Sequence, residues 1–107
     1  MELELKLSLD DDGYLNDPAV WNEGVASELA MRDHIILTDA HWELIEAVRA
    51  YSAAYGHAPP MRPLVKWIAT KIGADKGNSI YLYKLFPANP AKQLARIAGL
   101  PKPTKCF

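Results

Sequence analysis

Prolines and glycines recur along this chain at the ends of helix-like segments, and they restrict the fold to short helices joined by brief turns. Asp17-Pro18 and Asn89-Pro90 each place a capping side chain before a proline, which is typical of a helix start. Gly56, Gly73 and Gly99 follow periodic apolar stretches, where a glycine favours the end of a helix. Most of the chain is therefore expected to form a bundle of short helices.

The apolar residues between these marks recur at helical spacing. In the first segment, Trp21, Val25 and Leu29 lie four residues apart and predict one buried face. The five predicted helices run from Asp17 to about Arg32, from Thr38 or Asp39 to the stop at Gly56, from about Met61 to Ile72, from Asn78 or Ser79 to the stop at Pro87, and from Asn89 to Gly99.

The N-terminal segment has a different period. Residues 3–9 alternate apolar and polar side chains, the pattern of a half-buried strand. A turn signal follows at residues 10–13, and Tyr14-Leu15 is expected to begin a short return strand. The sequence thus predicts an α+β protein, mostly α, with an N-terminal β-hairpin packed on a compact bundle of about five helices. We expect one domain, divided into the hairpin (1–16), the bundle (17–99) and a mobile, extended C-terminal arm (100–107).

Length and composition exclude several classes of protein. The chain has 107 residues, half of them apolar, which is enough for one compact core. It has no apolar run near the roughly 20 residues that span a bilayer, and its acidic N-terminus is unlike a signal peptide. A single cysteine excludes an intramolecular disulfide and a cysteine-based zinc site. The expected location is the reducing cytoplasm.

Charge is divided unevenly along the chain. Residues 1–61 hold twelve acidic and three basic residues, a net charge of −9. Residues 62–107 hold nine basic residues and a single acidic one, Asp75, a net charge of +8. This asymmetry favours an anionic partner, either RNA or an acidic protein surface. The alternative is that the two halves neutralise each other within the fold.

Most chemistry-bearing residue types give no site pattern. His34, His41 and His57 lie in three different segments without metal-ligand spacing, so capping or surface positions are expected for them. The three tryptophans each fall in a predicted amphipathic helix, where core packing is favoured over base stacking. The carboxylates give no acid–base pair, and the serines have no nucleophile signature around them.

The one residue with a plausible covalent role is Cys106, the only cysteine and the second-last residue. It ends a tail that contains two prolines after Gly99, and such a tail favours an extended conformation. At about 3.1 Å per residue, the seven steps from Gly99 extend about 20 Å. Lys102 and Lys105 favour the thiolate form of the sulfur, which is the nucleophile. The alternative is an accidental cysteine at a disordered chain end.

Several segments of the sequence resemble a known family. They are residues 12–15, His41-Trp42-Glu43, and the stretches from Pro60 to Lys66, Lys76 to Pro87, Pro90 to Gln93 and Ile97 to Cys106. Together they closely resemble the DsrC/TusE family of sulfur-carrier proteins. The tail that ends in a penultimate cysteine is the most specific of these segments. The family fold, an N-terminal hairpin on a helical bundle with a mobile C-terminal arm, agrees with the expectations above.

The resemblance implies that Cys106 carries sulfur as a persulfide. Family members associated with sulfite reductase have a second cysteine eleven residues before the penultimate one, where this chain has Ala95. Without that second thiol the arm cannot close an internal disulfide or trisulfide. The single-cysteine pattern is similar to the TusE type, the last carrier in the relay that thiolates the wobble uridine of certain tRNAs.

The same resemblance implies the partners. They are an upstream TusBCD-like donor complex and an MnmA-like tRNA thiouridylase with its tRNA, while direct contact between RNA and this chain stays open. No metal, no other cofactor and no membrane are expected. The chain would act as a sulfurtransferase-type carrier that completes no reaction alone, so its standing as an enzyme is a matter of definition. On charge, the residues assigned to partner binding are Lys102, Lys105, Arg96, Lys92, Lys76 and Arg62.

Two other functions stay open at the level of sequence. Short successive helices behind a hairpin are compatible with a helix-turn-helix or winged nucleic-acid-binding regulator, with basic residues from Arg62 to Lys84 facing phosphates. A DsrC-like carrier in sulfur oxidation or sulfite reduction keeps the same family but changes the pathway.

Overall fold

A computed structural model of the chain describes residues 8–101, and most of this part is helical. Its five α-helices are α1 (Glu23–Arg32), α2 (Asp39–Tyr55), α3 (Met61–Lys71), α4 (Ser79–Leu85) and α5 (Pro90–Ile97). The helices α2 to α5 lie where capping residues and apolar spacing predict them. None of the helices in residues 8–101 combines the length and the apolar character that a bilayer crossing requires.

Helix α5 lies at the centre of the fold, because it packs against each of the other four helices. Six of its eight residues are buried, and Leu94 and Ile97 are almost completely enclosed. Burying side chains of this size contributes roughly 1.5–3 kcal/mol each. The C-terminal segment of the chain therefore leaves from the best-packed helix of the protein.

Three helices begin at an asparagine that caps them. Asn22, Asn78 and Asn89 precede α1, α4 and α5, and each side chain accepts a hydrogen bond from the backbone N–H three residues later, at 2.9, 2.9 and 3.2 Å. An asparagine cap satisfies one of the backbone donors that a helix start leaves free. The predicted starts of α4 and α5 are confirmed.

The prediction of one helix from Asp17 to Arg32 is wrong. The Asp17 carboxylate accepts a hydrogen bond from the Ala19 backbone at 3.0 Å, but this cap starts only a 3-10 turn at Pro18–Val20. Trp21 is then extended, and α1 begins after the second cap, Asn22. Because the backbone of Trp21 is extended, its indole reaches the end of α5, which is distant in sequence. This contact is favoured over the helix that the local apolar spacing predicts.

The predicted N-terminal β-hairpin is also wrong. Within residues 8–101 the structure contains no strand, only an isolated antiparallel bridge between Leu9 and Leu15. The side chain of Asp10 accepts backbone hydrogen bonds from Asp12 and Tyr14, both at 2.9 Å, so the predicted turn does form. The Asn16 N–H also donates to the Ser8 carbonyl at 2.9 Å, and the 3-10 turn at Pro18–Val20 follows directly. The alternating residues 3–7 lie outside the described part of the chain.

Helix α1 ends in a way that the sequence does not indicate. His34 has a left-handed backbone with φ 61°, and the Ile35 N–H donates to the Ala30 carbonyl at 2.9 Å. This bonding pattern is a Schellman motif, in which glycine is the usual left-handed residue. Histidine is one of the residue types that tolerate this conformation better than most. The buried side chain of Ile35 then holds the chain end against the core.

Candidate functional site

The predicted carrier residue lies beyond the described residues. The structure describes the chain as far as Pro101, whereas residues 102–107 include Cys106, Lys102 and Lys105. The structure defines the point from which the terminal segment departs. That point is built from the end of α5 and two side chains that hold it.

The end of α5 is closed by a second Schellman motif. Gly99 is left-handed with φ 75°, and its N–H donates to the Arg96 carbonyl at 3.2 Å. The N–H of Leu100 donates to the Ala95 carbonyl at 2.9 Å. Leu100 is buried in the core, while Pro101 is exposed. The chain therefore leaves the core between these two residues.

Trp21 and Arg49 hold the backbone at this point, and we call these two side chains the anchor. The Trp21 indole N–H donates to the Ile97 carbonyl at 2.8 Å. The Arg49 guanidinium donates to the Ala98 carbonyl at 2.6 Å and lies 3.9 Å from the centre of the Trp21 ring. A guanidinium over an indole face is attracted to it. The last carbonyls of α5 thus receive side-chain donors, one of them charged.

Gly99 makes room for the Trp21 ring of the anchor because it has no side chain. A Cβ atom at this position would overlap the Trp21 ring. The Trp21 ring therefore lies against bare backbone and against the guanidinium at the same time. This arrangement fixes both the position and the direction in which the terminal segment starts.

Arg96 was predicted to bind a partner, and the structure places it in an internal ion pair. Its guanidinium is 2.8 Å from the Asp33 carboxylate, which also accepts a hydrogen bond from the Gln93 amide at 3.3 Å. Both members of the ion pair are about one-fifth exposed. The pair joins α5 to the end of α1, so Arg96 contributes to the fold around the anchor.

Lys76 is also engaged within the chain. Its ammonium group donates to the Glu43 carboxylate at 2.8 Å, and this hydrogen bond raises the pKa of Lys76 above its ordinary value. Lys76 lies in the turn between α3 and α4, in the gap that the sequence leaves between the third and fourth predicted helices. Lys92 on α5 and Arg62 on α3 are both exposed. The described candidate residues thus do not converge on one site.

The anchor residues were not among the sequence-based candidates. Trp21 and Ile97 are 76 positions apart, and Arg49 and Ala98 are 49 apart. No local spacing connects such pairs. The only signal in the sequence was the glycine at position 99, whose role as a helix end was predicted.

His41 has a structural role that agrees with the expected capping position. Its Nδ1 accepts a hydrogen bond from the Thr38 backbone N–H at 3.0 Å, and its Nε2 donates to the Leu85 carbonyl at 3.1 Å. Both nitrogens of a neutral ring are therefore used. Burial lowers the pKa of His41 below 6.5, and the bond to Leu85 opposes this only in part. Within residues 8–101, no three potential metal-ligating side chains of His, Cys, Asp or Glu cluster closely enough to hold a metal ion.

Acidification is expected to destabilise the protein through His41. Because the folded state lowers the pKa of His41, the unfolded chain binds the proton more readily, and stability falls as the pH drops below about 6.5. Urea unfolding between pH 8 and pH 5 is the measurement. The variant His41→Gln should lose part of this pH dependence, whereas His57→Gln, at an exposed position, should keep it. If the free energy of unfolding depended on pH equally in the wild type and in both variants, the conclusion that His41 is neutral in the folded protein would be contradicted.

The sequence matches a known family over nearly its whole length. The family described as DsrC like protein matches residues 3–107, and the chain belongs to this family. Among its relatives, the sulfurtransferase TusE homolog of Haemophilus influenzae is 52% identical over 103 residues, covering 96% of this chain and 94% of the relative. The sulfurtransferase TusE of Yersinia pseudotuberculosis is 49% identical over 108 residues and covers all of both chains.

Solved structures of the family have the same fold. The NMR structure of DsrC from Allochromatium vinosum has a TM-score of 0.86 and 46% identity, covering 100% of this chain and 96% of that one. The crystal structure of the oxidised γ-subunit of dissimilatory sulfite reductase (DsrC) from Archaeoglobus fulgidus has a TM-score of 0.82 and 48% identity, covering 96% and 94%. Relatives named TusE and solved structures named DsrC are thus both similar to this chain.

Proposed function

We propose that this chain is a sulfur carrier that holds sulfur on Cys106 and passes it along the relay that forms 2-thiouridine in tRNA. The observation that supports this most strongly is the identity of about half of all residues to TusE sulfurtransferases over nearly the full length. The penultimate cysteine, within the matched range, is the one residue suited to covalent sulfur chemistry.

The chemistry requires two exchanges at one sulfur atom. In the first, the Cys106 thiolate attacks the outer sulfur of a donor persulfide, the donor S–S bond breaks, and the donor thiolate leaves. In the second, an acceptor thiolate attacks the outer sulfur of the Cys106 persulfide, and Cys106 leaves as a thiolate. The sulfur atom moves without net oxidation or reduction, so the carrier needs no redox cofactor.

The anchor fixes the point on the protein from which the segment that carries Cys106 starts. Five residues lead from Pro101 to Cys106, and covalent geometry limits their reach to about 17 Å. Trp21 and Arg49 hold the start of this segment on α5, so docking of the body limits where the thiol can go. We propose that Lys102 and Lys105 favour the Cys106 thiolate.

The partners follow from the two exchanges. A TusBCD-like complex donates the persulfide sulfur, and an MnmA-like tRNA thiouridylase with its tRNA accepts it. The exposed residues Arg62 and Lys92 are proposed to assist docking on acidic protein surfaces or tRNA. We propose that Arg96 and Lys76 act mainly through the internal ion pairs that support the fold.

The single thiol favours tRNA thiolation over the DsrC-like alternative. Ala95 stands where the two-cysteine members have their second cysteine, and its side chain is buried in α5. Its carbonyl also accepts the Leu100 N–H that closes the helix. We propose that this position serves packing, since an alanine offers no thiol to trap the terminal sulfur as an internal disulfide.

A complementation experiment tests the proposed function. In a strain that lacks the gene, 2-thiouridine in tRNA is expected to disappear, and the wild-type chain should restore it while Cys106→Ser should not. The variant Thr104→Ser is the control, because it changes the same segment and leaves the thiol in place. Unchanged 2-thiouridine in the deletion strain would contradict the proposal. A DNA mobility shift that is independent of Cys106 would favour the helix-turn-helix alternative.

A further inference from the structure

A groove between α2 and α3 combines aromatic rings with lysine side chains. Its volume is about 410 Å³, and its lining includes Tyr51, Tyr55, Trp67, Lys66 and Lys71. The volume lies within the roughly 300–1,000 Å³ that is usual for ligand sites. The groove is far along the sequence from the terminal segment, and the proposed sulfur chemistry uses none of these five residues.

The rings form one continuous wall. The centre of the Tyr55 ring is 4.6 Å from that of Tyr51 and 5.9 Å from that of Trp67. Trp67 is fixed from behind, because its indole N–H donates to the Ala47 carbonyl at 2.8 Å. Tyr55 is the last residue of α2, and its side chain is 57% exposed. The wall is therefore rigid at Trp67 and open to solvent at Tyr55.

The charge around this wall has one sign. The ammonium group of Lys71 lies 4.8 Å from the centre of the Trp67 ring, and Lys66 is exposed beside it. Arg62 lies one helical turn before Lys66 on the same helix, so the two cations share a face of α3. Residues 47–74 contain four lysine or arginine residues and no aspartate or glutamate. None of the residues that line the groove is acidic.

We propose that this groove binds single-stranded RNA, with a base stacked on Tyr55 and phosphates held by Lys66 and Lys71. An aromatic face beside a row of cations is the usual combination for unpaired nucleic acid. An acidic peptide would satisfy the cations but would leave the exposed ring without a planar partner. The identity of the RNA as a tRNA rests on the proposed function, whereas the groove itself does not depend on Cys106.

Fluorescence anisotropy with a labelled, unmodified tRNA transcript that has a wobble uridine tests this site. Tyr55→Ala is expected to weaken binding about tenfold or more, the usual loss of one stacked base. Tyr55→Phe keeps the ring and should bind like the wild type. The control is Tyr83→Ala on α4, where the tyrosine is also exposed, at 47%, and it should have no effect.

The salt dependence of RNA affinity distinguishes lysines that contact phosphates from lysines that only support the structure. The double variant Lys66→Gln/Lys71→Gln should lower the slope of log affinity against log salt concentration by about 0.7 per lost phosphate contact. Lys84→Gln, which removes an exposed lysine on α4, should leave the slope unchanged. Circular dichroism spectra identical to that of the wild type would show that the variants are folded.

Two outcomes would overturn the proposal. One is the absence of wild-type binding up to about 100 μM in low salt, the weak end of non-specific nucleic-acid binding. The other is wild-type RNA affinity in both Tyr55→Ala and the lysine double variant. If these variants also slow sulfur transfer to the thiouridylase, the groove belongs to an acidic protein partner.

The same variants separate the groove from the proposed function. Sulfur loading of Cys106 from a small persulfide donor should be normal in Tyr55→Ala, and Cys106→Ser should bind RNA normally. Failure of loading in the wild type would contradict the carrier function and leave the groove standing.

Discussion

Replacing Gly77 with alanine is expected to lower the free energy of unfolding by about 3 kcal/mol, at the upper end of what overpacking usually costs. Gly77 lies in the turn between α3 and α4, where a Cβ atom would overlap the backbone of Ala69. Because backbone atoms on a helix cannot rotate away, the turn itself would have to move. The loss should reach α4, because the adjacent residue Asn78 caps this helix by accepting a hydrogen bond from the Tyr81 N–H.

Urea unfolding followed by circular dichroism is the measurement for Gly77→Ala. The matched control is Gly24→Ala in α1, where a new Cβ would lie 3.3 Å from the side-chain oxygen of the Asn22 cap, a tight contact without overlap. Alanine is the better helix former, so this control should stay within about 1 kcal/mol of the wild type. If Gly77→Ala matched Gly24→Ala, the close approach of the turn to α3 would be refuted.

Gly99→Ala is expected to cost about 2–3 kcal/mol and to loosen the origin of the terminal segment. The left-handed backbone at Gly99, with φ 75°, costs a non-glycine residue roughly 1–2 kcal/mol. The new methyl group would also displace the Trp21 ring and with it the hydrogen bond to Ile97, worth about 1 kcal/mol. Sulfur transfer should slow as well, since the segment would no longer start from a fixed direction.

Gly56→Ala is the control that isolates the contact with Trp21. Gly56 ends α2 with φ 81°, close to the value at Gly99, yet a Cβ atom there would meet nothing within 4 Å. It should therefore cost only the backbone strain. The indole N–H resonance of Trp21 should shift in Gly99→Ala and stay in place in Gly56→Ala. Equal losses of stability in the two variants would contradict the packing of Trp21 on Gly99.

The helix starts were predictable because a cap is a local signal. Asn78 and Asn89 act within three residues of their own position, so a single sequence contains the whole interaction. The first helix was mispredicted because two caps, Asp17 and Asn22, compete there. The choice between them depends on Trp21, which binds a carbonyl 76 positions away. The hairpin prediction was wrong because alternating apolar and polar residues predict strand character, but the residues after the turn do not form a long enough return strand.

The functional site could be predicted from the sequence only where its chemistry depends on a single residue. Cys106 could be chosen because it is the only thiol, and its role stays a prediction, since it lies outside the described residues. The basic residues were harder, because their partners are distant in sequence. Asp33 is 63 positions from Arg96, and Glu43 is 33 positions from Lys76. Net charge shows that cations are available but does not indicate which of them the fold already uses.

Intact-protein mass spectrometry after incubation with a persulfide donor tests the central claim most directly. The wild-type chain is expected to gain the mass of one sulfur atom, to lose it on treatment with a thiol reductant, and to gain nothing when Cys106 is replaced by serine. A sulfur gain that persists in Cys106→Ser, or a wild-type chain that never gains sulfur, would contradict the account.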